Sequence, residues 1–166
     1  DFIEQEYQLY RITGICETKG HILAGSSEYG IYRSPDGGES WEECVNGLLA
    51  LNAMCVTETH DGSILTGTAR GIYSSDGGGF SWSRILDNIP GHVIFASEKN
   101  GYFTSTGRSG VHRTTDGGDS WILYYTETLR AQNAFAEDSS GTLYAMTLTS
   151  LHLLDRENDE WIQLNT

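Results

Sequence analysis

SPDGGESW at 34–41, SDGGGFSW at 75–82, TTDGGDSW at 114–121 and LDRENDEW at 154–161 end on Trp41, Trp82, Trp121 and Trp161, which are spaced by 41, 39 and 40 residues. A period near forty residues marks a repeat fold, because one unit cannot bury its apolar faces without a neighbour. A second landmark keeps the same phase. Gly20, Gly62, Gly101 and Gly141 stand 21, 20, 20 and 20 residues ahead of their tryptophans, so three units register without a gap and the first carries one inserted residue.

Between the landmarks the units read KGHILAGSSEYGIYRS, DGSILTGTARGIYSS, NGYFTSTGRSGVHRT and SGTLYAMTLTSLHLL. These β-branched and aromatic runs, punctuated by glycine, predict hairpins. Another strand leads into each landmark glycine (ITGICE, AMCVTE, VIFASE, NAFAED), and another begins at each tryptophan (SWEECV, SWSRIL, SWILYY, EWIQLN). Four strands per unit follow, over units 10–46, 51–87, 92–126 and 132–166, with 1–9 as an extra edge strand. No stretch sustains a helical period of useful length, so the fold is expected to be all-β, with about four four-stranded antiparallel sheets.

The recurring octet resembles the Asp-box, or BNR, repeat, S-x-D-x-G-x-[ST]-W, of sialidases, sortilin-type receptors, photosystem assembly factors and many bacterial β-propellers. Ser34, Asp36, Gly38, Ser40 and Trp41 match all five positions. Thr114, Asp116, Gly118, Ser120 and Trp121 match with Thr for Ser. The second box keeps Ser75, Gly79, Ser81 and Trp82 but puts Gly77 where Asp belongs, with Asp76 one place early; the fourth keeps only Trp161. The resemblance implies a β-propeller whose box turns lie at the blade periphery between third and outer strands. A short carboxylate there accepts backbone N–H bonds from its own turn, glycines supply positive φ, and the indole wedges beneath. These residues are expected to serve folding, and Leu154, Arg156 and Asn158 cannot supply the carboxylate in the fourth turn.

The 166 residues have the length of one ordinary domain, and four blades is near the lower end of the roughly four to eight found in propellers. FIEQEYQLY at 2–10 reads as the outer strand of a further unit, so the chain is expected to be either part of a longer propeller or a ring closed by that strand. Two copies would form an eight-bladed homodimeric ring. A net charge of −13, with Lys19 and Lys99 the two lysines, disfavours nucleic acid and anionic membranes as partners. The longest apolar run, GLLALNAMCV, falls short of the ~18 residues of a membrane span. Cys16, Cys44 and Cys55 form no C-x-x-C pair and are expected as buried thiols, and His21, His60, His92, His112 and His152 lack metal-ligand spacing. No metal or cofactor is expected.

The family resemblance places ligands on the face bearing the outer-to-inner connections and the loops between second and third strands. Counting nine residues back from each landmark glycine gives Arg11, Ala53, His92 and Gln132 at the entrances of the inner strands. Glu28, Tyr29, Arg70 and Arg108 join them on the second-to-third strand loops. YRIT at 10–13 is similar to the sialidase opening (F/Y)-R-I-P, which implies for Arg11 a bidentate grip on a substrate carboxylate; Thr13 stands in place of the proline. A glycosidase would need two carboxylates about 5 to 10 Å apart across a cleft, and Glu28, Asp87 and Glu127 are the acids on this face. The leading reading is a non-catalytic binding or assembly module for a protein or carbohydrate ligand, and the alternative is a sialidase-like glycoside hydrolase. The resemblance implies a secreted or periplasmic setting.

Overall fold

The structure, a computed structural model, describes residues 11–97, 101–105, 110–124 and 134–164. The expected edge strand at 1–9 lies outside them. The described strands fall into four antiparallel sheets, each built from consecutive strands in chain order. The first sheet is β1 (Ile12–Thr18), β2 (His21–Ser26), β3 (Gly30–Ser34) and β4 (Glu42–Glu43); the second is β5 (Ala53–Glu58), β6 (Ile64–Thr68), β7 (Gly71–Ser75) and β8 (Ser83–Asp87). The third is β9 (Val93–Ser97), β10 (Gly101–Ser105), β11 (Val111–Thr114) and β12 (Ile122–Tyr124); the fourth is β13 (Ala134–Glu137), β14 (Leu143–Met146), β15 (Leu151–Asp155) and β16 (Glu160–Leu164). The inner strands stand side by side, β1 against β5, β5 against β9 and β9 against β13.

The packing between sheets explains the period. Leu23, Ile31 and Cys44 of the first sheet meet Val56, Ile64, Tyr73 and Trp82 of the second in one buried cluster. Phe103 and Val111 of the third meet Leu143, Leu154 and Trp161 of the fourth in another, with Phe103 and Trp161 edge to face at 6.3 Å and 80°. The second sheet touches the connection into the third backbone to backbone: a β-carbon on Gly67 would come within 2.1 Å of the Gly91 carbonyl oxygen, so only glycine fits. Ile15 of the first sheet and Ile162 of the fourth, 65 % and 45 % exposed, lie on the sheet faces that no other described strand covers.

One expectation changes in detail. The equal spacing of the landmark glycines does not carry over to the strand register, because the inner hairpins differ in length. Lys19 and Gly20 (φ 48 and 81) close a two-residue turn in the first sheet, the type favoured by the strand twist. The second sheet opens a longer turn, in which the Thr59 hydroxyl donates to Asp61 and the Ser63 N–H donates to it at 3.1 Å. Ile12 therefore pairs with Ser26 on the rung where Ala53 pairs with Thr68, which makes Asn52, not Ala53, the counterpart of Arg11. In the fourth unit Leu154, Arg156 and Asn158 indeed provide no carboxylate, yet the turn is closed. Asp155 accepts the Glu157 N–H at 3.0 Å and the Asn158 amide at 2.7 Å, and β15 pairs with β16 right up to Asp155 and Glu160.

Candidate binding face and the turns opposite it

Each sheet has two ends. At one end lie the second-to-third strand loops and the outer-to-inner connections; at the other lie the inner hairpins and the third-to-outer turns. The first end is organised by a repeated hydroxyl. Ser26 Oγ accepts the N–H groups of Glu28 and Tyr29, both at 3.3 Å. Thr68 Oγ1 accepts Arg70 N–H at 3.1 Å, and Thr147 Oγ1 accepts Ser150 N–H at 3.1 Å. All three hydroxyl residues are buried and stand six residues after their landmark glycine, a signal the sequence offered and the motif search passed over. They satisfy the loop backbone and leave Glu28, Tyr29 and Arg70 exposed.

Neighbouring units are stitched together at this end. Gly30 N–H donates to Leu51 carbonyl at 2.5 Å and Gly91 N–H to Thr68 carbonyl at 3.1 Å. Thr13, which stands where the sialidase opening has proline, donates its hydroxyl to the Ala53 carbonyl at 2.7 Å and so ties β1 to β5. Arg11 is exposed with φ 52 and its carbonyl accepts Ser27 N–H at 3.2 Å; Asn52 Oδ1 caps the equivalent Ala69 N–H at 3.4 Å. Arg11, Glu28, Tyr29, Arg70 and the exposed His92 thus share one face, whereas Arg108, Gln132 and Glu127 lie outside the described residues. Asp87 pairs with Arg84 at 2.7 Å. Residues that the sequence reading passed over also sit here: Leu49 and Leu51 on the connection are 62 % and 42 % exposed, beside Ile12 at 44 %.

The opposite end is polar. Asp36 accepts Ser40 N–H at 2.8 Å, Ser40 hydroxyl at 2.5 Å and Ser34 hydroxyl at 2.9 Å, while Gly38 N–H donates to Ser34 Oγ at 2.7 Å. Asp116 repeats the arrangement with Ser120 and Thr114. The Ser40 hydroxyl, then its N–H, hold the Asp36 carboxyl down at about 2, and the Ser120 hydroxyl and Thr114 push Asp116 well below the usual carboxylate range. Trp41 and Trp121 donate their indole N–H back to Gly38 and Gly118 carbonyls at 3.2 and 3.1 Å, and Trp121 shares its N–H with the Ile85 carbonyl of the preceding sheet at 3.0 Å. Trp82 and Trp161 turn inward instead, and Trp82 donates to the Cys44 carbonyl of the preceding sheet at 2.8 Å. A cleft of about 360 Å³ between second and third sheets, lined by His60, Asp61, Tyr102 and Thr115, also opens at this end. Nothing in the sequence pattern marked it.

The sequence matches no protein-family model and no curated relative. Solved structures are similar in fold. An ancestral GH74 enzyme superposes with a TM-score of 0.80 at 18 % identity over 94 % of this chain and 24 % of its own. Virginiamycin B lyase from Staphylococcus aureus gives 0.79 at 12 % identity over 96 % and 57 %, and YCF48 bound to D1 peptide gives 0.70 at 16 % over 93 % and 54 %. This chain has the fold of a β-propeller. Its four sheets are four blades, and the chain spans about a quarter of the GH74 chain and just over half of the other two. Enzymes and a peptide-bound protein share the likeness, which at these identities is one of architecture.

Proposed function

We propose that the chain is an Asp-box propeller and a non-catalytic binding module whose loop-bearing face takes an extended protein segment. The observation that carries this reading is the chemistry of that face. Ile12, Tyr29, Leu49 and Leu51 are exposed at the ends of the first two blades, flanked by the exposed Arg11, Glu28 and Arg70. Apolar side chains in water inside a charged rim are the composition of a protein interface. Aliphatic groups outnumber the single tyrosine here, which favours peptide side chains over a sugar ring. The Asp-box assignment is supported by the Asp36 and Asp116 turns, whose serine, glycine and tryptophan contacts follow the motif position by position. YCF48, of the same architecture, was solved with a D1 peptide.

The enzymatic alternative is less well supported. A glycosidase general acid needs a carboxyl raised towards neutrality by its surroundings. Asp36, Asp61, Asp116, Asp138 and Asp155 are all shifted downward, by hydrogen bonds within turns at the end opposite the loop face. The test is to pan a random-peptide display library on the immobilised chain, with a glycan array run in parallel. Enriched peptides should lose binding to a Leu49→Asp/Leu51→Asp protein and keep it with Asp36→Asn. Peptides indifferent to the face substitutions, or glycan signals alone, refute the reading, and turnover of a fluorogenic sialoside would restore the hydrolase.

A further inference from the structure

The third-to-outer turn of the second blade keeps its shape and lacks its carboxylate. In the first blade Ser34 and Ser40 hold Asp36, and in the third Thr114 and Ser120 hold Asp116 with contacts of 2.6, 2.9 and 2.5 Å. In the second blade Ser75 and Ser81 stand at the same positions. The left-handed pair Gly78 and Gly79 (φ 92 and 83) repeats Gly37 and Gly38 (75 and 101) and Gly117 and Gly118 (76 and 106). What differs is Gly77, on which an added β-carbon would meet nothing within 4 Å. The space continues into a cleft of about 220 Å³ lined by Ser74, Ser75, Asp76, Gly77, Phe80 and Ser81. No hydrogen bond from either hydroxyl to a described residue replaces the missing carboxylate.

A positive group stands beside this turn. Arg33 of the preceding blade is 7 % exposed, and its guanidinium lies over the Phe80 ring at 4.3 Å. One terminal nitrogen bonds Glu42 at 2.5 Å, while Nε is buried with no hydrogen-bond partner among the described residues and lies 3.8 Å from where a β-carbon on Gly78 would be. Asp76 opposes an incoming anion, but it is exposed to solvent, where salt screens its charge.

We infer that the second blade's turn is a receptor for a carboxylate supplied from outside its own motif. One oxygen would accept the Ser75 hydroxyl and the Ser81 N–H, and the other the Ser81 hydroxyl, as Asp36 and Asp116 do in their own blades. The site lies at the end opposite the proposed peptide face, so its fate is independent of that reading.

The test is a titration of the ¹⁵N-labelled 166-residue chain with sodium acetate at constant ionic strength, with sodium chloride as blank. The Ser81 amide should move downfield and saturate at roughly millimolar acetate, while the Ser40 and Ser120 amides stay still. Gly77→Asp supplies the carboxylate in cis: its Ser81 amide should already sit near those of Ser40 and Ser120, and the acetate response should weaken at least about tenfold. If Gly77→Asp does not fold, Ser81→Ala, which removes one donor and adds nothing, must show the same weakening. A blocked aspartyl peptide that binds about tenfold tighter than acetate identifies the source as a partner protein's acidic side chain; equal affinity identifies a free carboxylate. A Ser81 response that is absent, matched by chloride, or unchanged in the variants overturns the inference.

Discussion

Trp82 sits in the turn that lost its aspartate, yet it is the most buried of the four tryptophans at 5 % exposure, packed in the cluster shared by the first two blades. Replacing it with alanine removes that packing, which for a buried aromatic costs about 3 to 5 kcal/mol. It also leaves the Cys44 carbonyl without the 2.8 Å indole bond, adding about 1 to 3 kcal/mol if water does not reach it. Trp41 is only partly buried and donates at 3.2 Å within its own turn, so its removal should cost only about 1 to 2 kcal/mol. Urea unfolding followed by circular dichroism would measure both, each as the shift in midpoint multiplied by a common m-value. At about 2 to 4 °C per kcal/mol for a chain of this size, Trp82→Ala should melt roughly 8 to 30 °C below the parent, and Trp82→Phe, which keeps a ring, should fall between the two alanine variants. A Trp41→Ala loss equal to or above that of Trp82→Ala would refute the argument that burial between blades, rather than completeness of the motif, sets the weight of each tryptophan.

Acid should unfold the chain in two stages. Burial lowers His112 and His152 from the ordinary 6.5, so the unfolded chain takes up protons first, and the stability they contribute is complete above about pH 6.5 and declines below it. The turn carboxylates, held below the ordinary 3.8 by their hydrogen bonds, contribute in full above about pH 4 and are lost as pH falls towards about 2; a melting temperature flat from pH 8 to pH 3 would contradict both stages. Tyr73 is wholly buried and its hydroxyl has no partner among the described residues, so Tyr73→Phe should be neutral or stabilising by about 1 kcal/mol, and a clear loss in chemical denaturation would reveal a bond to ordered water. Burial, the first cause at each site, lifts Cys16, Cys44 and Cys55 to about 11 from an ordinary 9.0; at pH 8 they should react with an aromatic disulfide about a hundredfold more slowly than free cysteine, and fast labelling of the native chain would count against that.

The sequence by itself determined the repeat, the four strands per unit and the turn chemistry, because these are local. A strand's alternation, the positive φ at Gly37 and Gly38, and the reach of Asp36 to Ser40 all lie within a few residues. It also marked Arg11, Glu28, Tyr29, Arg70 and His92 as neighbours, since the phase of a repeat tells which loops share a face. Other facts needed the tertiary structure. That Asn52 rather than Ala53 matches Arg11 depends on the lengths of the inner hairpins, and those are settled by how Asp61 folds its own loop. That Leu49 and Leu51 remain in water on the loop-bearing face, while Trp82 and Trp161 are enclosed, depends on which blade packs against which. Hydrophobicity is a property of a residue, but burial belongs to its neighbours, and in a repeat fold the deciding neighbour lies about forty residues away.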